Sequence, residues 1–371
     1  MHIALEALCL GRRNTGIGVC VTNLLAGLEE LDAPEDFTIY TADFKGVREI
    51  PGPDMARMVT VPFSARSRLV RASWRRLRLN GSLKADGADV LHGTAYVLPR
   101  KPVVPAVVTV HDVIALTHPE FCPTLNAWHL RMGLPRAVKE ATCIIVHAKA
   151  TADELVARLG VGAKKITVLR PGVADAFFAE MSPGQREGVA VRYGLPARYV
   201  LYAGNLEPKK DLETVLGAFE ALGEREYPGK LVLTGPGGWK NRALADRIRG
   251  LGKRVLVTGY VQTEDMPAVY AGADAAVLVS LVEGFGLPAV EAMAAGTPVI
   301  ASDVPGLAEA TGNAAVKIRP KDVPGLVQAL KELLGDNRLA AEVRARGKEH
   351  ARGFRSIDYA RRHLEIYRGL R

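Results

Sequence analysis

The chain has few cysteines, and their spacing is not that of a metal or redox site. Its 371 residues include 4 cysteines, at positions 9, 20, 122 and 143, with no C-x-x-C pair. Zinc and iron–sulfur sites usually need cysteines at short spacings, and secreted disulfide scaffolds need many more of them. We therefore expect reduced, mostly buried thiols in a cytosolic protein.

Long apolar runs and several catalytic motifs are also missing. No stretch approaches the roughly 18 apolar residues of a membrane span, and no basic leader precedes the first apolar run, so neither secretion nor membrane spanning is expected. G-x-S-x-G, H-E-x-x-H, the kinase motifs and the dinucleotide fingerprint G-x-G-x-x-G are absent as well. These absences argue against hydrolases, metalloproteases, kinases and oxidoreductases.

Short apolar, β-branched runs alternate with segments of helical spacing along the whole chain, in which 48% of the residues are apolar. This alternation predicts parallel sheets covered by helices on both faces. A polar stretch over residues 181–199 interrupts the pattern and predicts a linker between two halves. We predict two Rossmann-like doubly wound α/β domains facing across a cleft, over 1–172 and 173–355, with a C-terminal helix over 356–371 crossing back to the first.

The segment VSLVEGFGLPAVEAMAAGTPVIAS, residues 279–302, places a glycine-containing loop between a strand and a helix. Loop amides and a helix N-terminus then meet at the carboxyl end of a parallel strand, where anions bind in such folds. Glu283 and Glu291 flank the loop with seven residues between them. Glu291 suits a ribose diol, and the alternative is that it only interacts favourably with the helix dipole. Glu283 suits sugar hydroxyls, and the alternative is that it is only a charged residue of the loop.

A second segment, YAGNLEPKKDLETVLGAF over residues 202–219, brings two lysines to a predicted helix start. Lys209 and Lys210 would add point charges to the amides of a phosphate clamp. A solvated basic helix start is the alternative. In the loop 234–238 three glycines follow another strand, but alone they form no phosphate motif.

The first half carries its candidate residues at strand ends. The first strand runs into GRRNTGIG, so Gly16 and Gly18 would offer free amides at a turn before a helix; a plain tight turn is the alternative. VVTVHDV places His111 and Asp112 at the end of a buried strand, and His92 ends another. A lone histidine in such a place is more often structural than catalytic.

Together these segments resemble the retaining B-type glycosyltransferases of family 4, and the resemblance covers nearly the whole chain. It rests on E-x7-E around EGFGLP, on G-x-x-x-P-[RK]-K, and on T-x-H-D. The resemblance implies transfer of a hexose from a nucleotide diphosphate sugar to an acceptor hydroxyl with retained configuration. No D-x-D motif is present, so neither a metal nor any cofactor beyond the nucleotide sugar is expected.

The resemblance also implies residue roles. The catalytic residues would be His111, Glu283 and Lys210. Asn205 stands where many members have Arg, and Val261 would pack on the nucleotide base unless it is simply core. The donor-binding residues would be Gly16, Gly18, Asn205, Lys209, Lys210, Val261, Gly284, Phe285, Gly286, Leu287 and Glu291. The acceptor-side residues would be Arg12, Arg13, His92 and Asp112.

The donor is expected to be GDP-mannose, because H-G-x-x-Y-x-x-P followed by VTVHD is similar to bacterial mannosyltransferases of surface polysaccharide assembly. The acceptor would then be a glycan or a lipid-linked saccharide. A non-catalytic module that binds sugar nucleotides, and an epimerase of similar fold, are the alternative functions.

The net charge of +9 favours acidic partners, and six arginines without an acidic neighbour lie between positions 66 and 78. Such a basic amphipathic stretch predicts reversible contact with an anionic membrane surface, with a solvated helix face as the alternative. We therefore expect a cytoplasmic protein, peripheral on the inner face of the membrane, and no nucleic-acid partner. The stretch consists of Arg66, Arg68, Arg71, Trp74, Arg75, Arg76 and Arg78.

Overall fold

The computed structural model describes residues 1–10, 15–43, 51–53, 56–64, 68–237 and 242–370. The chain divides into two compact units. Met1–Ala174 and Phe354–Arg371 form the first unit, and Asp175–Gly353 forms the second.

The first unit is built on one sheet whose neighbouring strands are all parallel. Its strands are β1 (His2–Glu6), β2 (Asp36–Asp43), β3 (Arg57–Ser64), β4 (Val90–Gly93), β5 (Ala106–Val110), β6 (Cys143–Val146) and β7 (Ile166–Val168). They lie in the order β3-β2-β1-β4-β5-β6-β7. Its helices are α1 (Gly16–Glu30), α2 (Arg68–Leu77), α3 (Leu79–Asp86), α4 (Ile114–Thr117), α5 (Thr124–Glu140), α6 (Lys149–Leu159) and, at the C-terminus, α15 (Ser356–Arg368).

Helices cover both faces of this sheet, which explains why its strands are continuously apolar. Val107 belongs to the core that the sheet shares with α1 and α15, whereas its neighbour Val108 belongs to the core shared with α2, α3, α5 and α6. On the first face α15 packs closely on α1. A Cβ added to Gly27 would lie 2.2 Å from the carbonyl oxygen of Ser356, so this contact requires glycine.

The second unit repeats the architecture with six parallel strands. They are β8 (Tyr199–Ala203), β9 (Lys230–Thr234), β10 (Val255–Gly259), β11 (Ala275–Leu278), β12 (Val299–Ser302) and β13 (Val316–Ile318). Their order is β10-β9-β8-β11-β12-β13. The helices are α7 (Pro183–Tyr193), α8 (Leu212–Glu226), α9 (Arg242–Gly250), α10 (Met266–Ala271), α11 (Leu287–Ala294), α12 (Pro305–Thr311), α13 (Val323–Gly335) and α14 (Asn337–Ala351).

The strand order of each sheet reverses near its centre, between β1 and β4 in the first unit and between β8 and β11 in the second. Ligands of doubly wound sheets bind outside the carboxyl ends of the strands at such a reversal. The loops that follow β8 and β11, residues 204–211 and 279–286, therefore share one edge of the second sheet. The predicted α/β class with two Rossmann-like halves is confirmed.

Candidate active site

A buried ion pair joins the two loops at this edge. Lys210 Nζ lies 2.5 Å from Glu283 Oε2, and the two side chains are only 16% and 13% exposed. Ser280 Oγ donates a second hydrogen bond, of 3.0 Å, to the same carboxylate oxygen. The catalytic lysine and the catalytic glutamate that the sequence predicts are thus brought into direct contact.

Glu283 is held in its ionised form. Burial by itself would raise the pKa of this carboxyl, but the charges of Lys210 and Lys209, together with hydrogen bonds from Lys210 and Ser280, lower it to about 2. A carboxylate of this kind can accept hydrogen bonds from sugar hydroxyls over the whole physiological pH range. It cannot serve as a general acid near neutral pH.

Close backbone packing shapes the loop after β11. Leu281 N–H donates to the carbonyl oxygen of Lys209 over 2.7 Å, which ties the loop to the segment after β8. Gly286 precedes α11 with φ +103°, a conformation that favours glycine. A Cβ added to Gly306, in α12, would lie 2.3 Å from the carbonyl oxygen of Glu283. Two glycines therefore set the position of the loop.

Glu291 lies one turn into α11 and is 8% exposed. The Tyr270 hydroxyl donates a 3.2 Å hydrogen bond to Glu291 Oε2. Burial raises the pKa of Glu291 to about 7, although the hydrogen bond from Tyr270 lowers it to some extent. Near neutral pH this carboxyl is therefore divided between its protonated and ionised forms, in contrast to Glu283.

A small pocket opens at the carboxyl edge of the second sheet, and two predicted donor-binding residues, Lys210 and Gly286, line it together with Glu283. Its floor is the end of β8 and β11, and its wall is the start of α11. The residues that line it are Tyr202, Ala203, Lys210, Leu278, Val279, Ser280, Glu283, Gly286, Pro288, Ala289 and Leu307. Hydrogen-bond donors and one ionised carboxylate therefore line the same concave surface at the N-terminus of α11.

In the first unit, His111 follows β5 and is 8% exposed. Its Nε2 lies 2.8 Å from the carbonyl oxygen of Thr94, and its Nδ1 lies 3.1 Å from Nε2 of His147. Burial lowers the pKa of His111 to about 4, which keeps the ring neutral near pH 7. One ring nitrogen thus contacts a backbone carbonyl, and the other faces a second imidazole.

Comparisons with known proteins place these features in a family. Residues 14–177 match the family described as Glycosyltransferase Family 4, and residues 197–336 match Glycosyl transferases group 1. The O-antigen chain mannosyltransferase B of Escherichia coli is 31% identical over 271 residues, which cover 71% of this chain and 70% of that protein. The chain belongs to glycosyltransferase family 4.

Further relatives and solved structures are similar to this glycosyltransferase. A D-inositol 3-phosphate glycosyltransferase of a Mycobacterium species is 30% identical over 86% of this chain and 77% of that protein. The fold is shared with sucrose-phosphate synthase from Thermosynechococcus elongatus, at a TM-score of 0.77 and 22% identity over 100% and 99% of the two chains. It is shared with Anabaena HepE, crystallised with UDP and glucose, at a TM-score of 0.75 and 18% identity over both whole chains.

Other donor-side residues of the glycosyltransferase differ in how accessible they are. Lys209 and Asn205 are half-buried, and Asn205 Nδ2 donates to Glu207 Oε1 over 3.0 Å. Phe285 and Leu287 are each 7% exposed, so it is the backbone of this loop that can reach a ligand. Gly284 is half-buried between Glu283 and Phe285 in the same loop.

Val261 is 4% exposed and packs as a core residue, so its predicted contact with a base does not fit this structure.

The predicted acceptor-side role of His92 also does not fit. The ring is 1% exposed, Nδ1 lies 2.7 Å from the Tyr367 hydroxyl, and Nε2 lies 2.8 Å from Thr109 Oγ1. At 1% exposure the His92 ring has no accessible surface that a substrate could contact. Arg12 and Arg13 lie outside the described residues.

Asp112 and Gly18 make hydrogen bonds within the protein, whereas Gly16 is exposed. Asp112 Oδ2 accepts from the Tyr96 hydroxyl over 2.9 Å, and Oδ1 accepts from Ile114 N–H over 3.0 Å, at the start of α4. The amide of Gly18 is not free, because it donates to Oγ1 of Thr15 over 3.3 Å. Gly16, the first residue of α1, is exposed, and a Cβ added there would meet nothing within 4 Å.

The arginine stretch is only partly exposed. Trp74 is 9% exposed, and its ring centroid lies 5.5 Å from that of Tyr40, so the prediction that Trp74 meets a membrane is wrong. Arg71 donates to the carbonyl oxygen of Leu8 over 3.0 Å, and Arg75 pairs with Glu6 over 2.9 Å. Arg76 and Arg78 are exposed, whereas Arg66 and the side chain of Arg68 lie outside the described residues.

Sequence reasoning missed four residues that contact the candidate residues of one unit or the other. Tyr270 and Ser280 donate to the two glutamates, Gly306 lets α12 approach the loop, and His147 contacts His111. Tyr270, Gly306 and His147 each come from a neighbouring element of the same unit, so the local motif around the residue they contact does not contain them. Ser280 lies three residues before Glu283 and is the only one that a turn argument could have found.

Proposed function

We propose that this glycosyltransferase moves a hexose from a nucleotide diphosphate sugar to an acceptor hydroxyl with retention of configuration. The observation that carries the proposal is the contact between Lys210 and Glu283 at the N-terminus of α11. A cation and a carboxylate within one pocket suit a donor that carries a diphosphate next to a sugar. Family membership supports a transferase over a binding module or an epimerase.

The diphosphate would compete with Glu283 for Lys210. As the bond between the sugar and the diphosphate breaks, negative charge grows on the leaving diphosphate, and a preorganised cation stabilises that charge most strongly. Lys209 and the amides of Gly284 to Leu287 would add to this stabilisation. Glu283, once released from Lys210, would accept hydrogen bonds from sugar hydroxyls.

Glu291 would bind the ribose. An ionised carboxylate accepts hydrogen bonds from both hydroxyls of a ribose diol, as the acidic residue of dinucleotide-binding folds does. His111 would contact the donor sugar, as the family resemblance implies. For that contact, one ring nitrogen has to leave its present protein partner.

GDP-mannose is the proposed donor, and the supporting observation is the similarity to an O-antigen chain mannosyltransferase. A thermal-shift screen against GDP, UDP, ADP and dTDP, followed by turnover of the matching sugars, tests the choice. A nucleotide at 100 times its Kd stabilises the fold by about 2.7 kcal/mol, so GDP should raise the Tm by several degrees. Stabilisation by UDP or dTDP alone, with turnover of only their sugars, would contradict it.

We further propose that the protein contacts an anionic bilayer through one face of the first unit. Helix α5 exposes three large apolar side chains, Leu125 at 79%, Trp128 at 65% and Met132 at 67%, which we call the α5 stripe. Their spacing of three and four residues places them on one side of the helix. Exposed apolar residues in such a row mark an interaction surface.

Basic residues accompany the stripe. Arg131 on α5 is exposed. Helix α2 packs into the same core on the same face of the sheet and exposes Arg76 and, at 74%, Leu77, and the next residue, Arg78, is exposed as well. Apolar side chains among arginines favour an anionic lipid surface as the partner. In the described parts of the chain we find no helix with the length and hydropathy of a membrane span.

A further inference from the structure

Three side chains that can act as metal ligands lie close together inside the first unit. The function proposed above assigns no role to this cluster. Cys20 on α1, His111 after β5 and His147 after β6 are 7%, 8% and 2% exposed. One ligand atom of each, a sulfur and two ring nitrogens, lies within 4.8 Å of the others. The sequence separates them widely, so their spacing gave no indication of a site.

The hydrogen bonds of the two histidines leave their inner nitrogens without protons. His111 Nε2 lies 2.8 Å from the carbonyl oxygen of Thr94, and His147 Nδ1 lies 2.9 Å from that of Leu169. A carbonyl oxygen only accepts, so each outer nitrogen must carry the hydrogen, and a neutral imidazole has just one. Lone pairs on His111 Nδ1 and His147 Nε2 then face each other across 3.1 Å.

A positive charge between the two nitrogens would remove this repulsion. An additional proton is one solution, but it would place a lone positive charge on rings that are only 8% and 2% exposed. A metal ion is the other solution. Two nitrogens bound to a tetrahedral zinc at about 2.0–2.1 Å lie about 3.3 Å apart, close to the distance seen here.

The surroundings match those of metal-binding histidines. A histidine that binds a metal usually donates its other ring N–H to a carbonyl or carboxylate, which fixes the ring and its tautomer. Both rings do so here. The Cys20 sulfur adds a soft ligand, and a set of two imidazoles and one thiolate favours Zn²⁺ or Co²⁺ over Mg²⁺ or Ca²⁺.

We propose that Cys20, His111 and His147 bind one Zn²⁺-class transition metal ion and leave a fourth coordination position open. Binding releases the thiol proton of Cys20, so that the thiolate offsets one of the two charges of the ion. Occupation would also hold His111 in place. If His111 contacts the donor sugar, a consequence that rests on the function proposed above, the ion would inhibit transfer.

Titration of the metal-free protein of 371 residues with Co²⁺ tests the site. One equivalent should produce thiolate-to-cobalt charge-transfer absorption together with the visible bands of a tetrahedral ion, and Zn²⁺ should displace both. Cys20→Ser should abolish the charge-transfer band, whereas Cys143→Ser, at a half-buried cysteine elsewhere in the same unit, should retain it. Circular dichroism confirms that both variants are folded.

Absence of the charge-transfer band in the wild-type protein would overturn the proposal and leave a shared proton as the occupant. A band that survives in Cys20→Ser would also overturn it. Neither readout depends on transferase activity, so failure of the metal site and failure of the proposed function remain distinguishable. As a further expected result, Zn²⁺ inhibition is lost in Cys20→Ser while basal activity is retained.

Discussion

At the scale of single residues, the contact between Lys210 and Glu283 has two consequences. It preorganises the lysine for a diphosphate, and it also makes the lysine part of the fold, because each side chain is largely removed from water. A buried charge that loses its partner is strongly destabilising, whereas removal of both partners is much less so. Stability and catalysis should therefore separate in a double variant.

We predict that Lys210→Met lowers turnover by about 10²–10³-fold, because a preorganised cation is lost from the transition state. It should also lower the free energy of unfolding by up to about 3 kcal/mol, because Glu283 is left buried and unpaired. Lys210→Met combined with Glu283→Gln should recover most of the stability but none of the activity. Denaturant unfolding and initial rates measure the two effects, and a single variant with wild-type turnover would refute the diphosphate role.

The pKa of Glu291, raised to about 7, predicts that nucleotide binding depends on pH. Only the ionised carboxylate accepts both ribose hydroxyls, so affinity should rise with pH up to about 7 and level off above it. Binding at pH 6 should release a proton, which calorimetry detects by comparing two buffers of different ionisation enthalpy. Glu291→Gln should bind more weakly and lose the pH dependence. An unchanged pH profile in that variant would leave Glu291 as a helix-dipole partner.

At the level of secondary-structure elements, the sequence predicts the type of an element better than the direction in which its side chains point. The spacing of apolar residues indicated helices on both faces of parallel sheets, and that architecture is present. It did not reveal that Trp74 is turned towards Tyr40 of β2, because the two residues are 34 positions apart in the chain. An amphipathic pattern shows that one helix face is buried, but the partner of that face is decided by tertiary packing.

The α5 stripe gives a prediction at this scale. The wild-type protein should sediment with phosphatidylglycerol vesicles at low salt and lose much of that binding as salt screens the arginines. Trp128→Ser combined with Met132→Ser should weaken binding at least fivefold, because apolar burial in the interface is lost.

Val191→Ser, at a 78% exposed valine in the second unit, is the matched control and should bind as the wild-type protein does. If the stripe variant binds vesicles as well as the control does, the membrane contact is refuted. The same conclusion follows if the wild-type protein fails to bind anionic vesicles at low salt.

At the scale of the whole molecule, two doubly wound units and their strand-end loops could be predicted from alternation and loop motifs alone. The loop around Glu283 was predictable for the same reason, since glycines, a proline and two glutamates lie within one short segment. The environment of His111 was not, because Thr94 and His147 follow two other strands, β4 and β6. Val261 and His92 show the same limit, since sequence position did not reveal how deeply each is buried.

A crystal structure of the protein with GDP is the most direct test of the account. The diphosphate oxygens should lie within hydrogen-bond distance of Lys210 Nζ and of the backbone amides of Gly284 to Leu287, with both ribose hydroxyls on Glu291. The contact between Lys210 and Glu283 should lengthen as the diphosphate takes over the lysine. A nucleotide bound elsewhere, with that contact intact and Glu291 still bonded only to Tyr270, would contradict the assignment of this edge of the second sheet as the donor site.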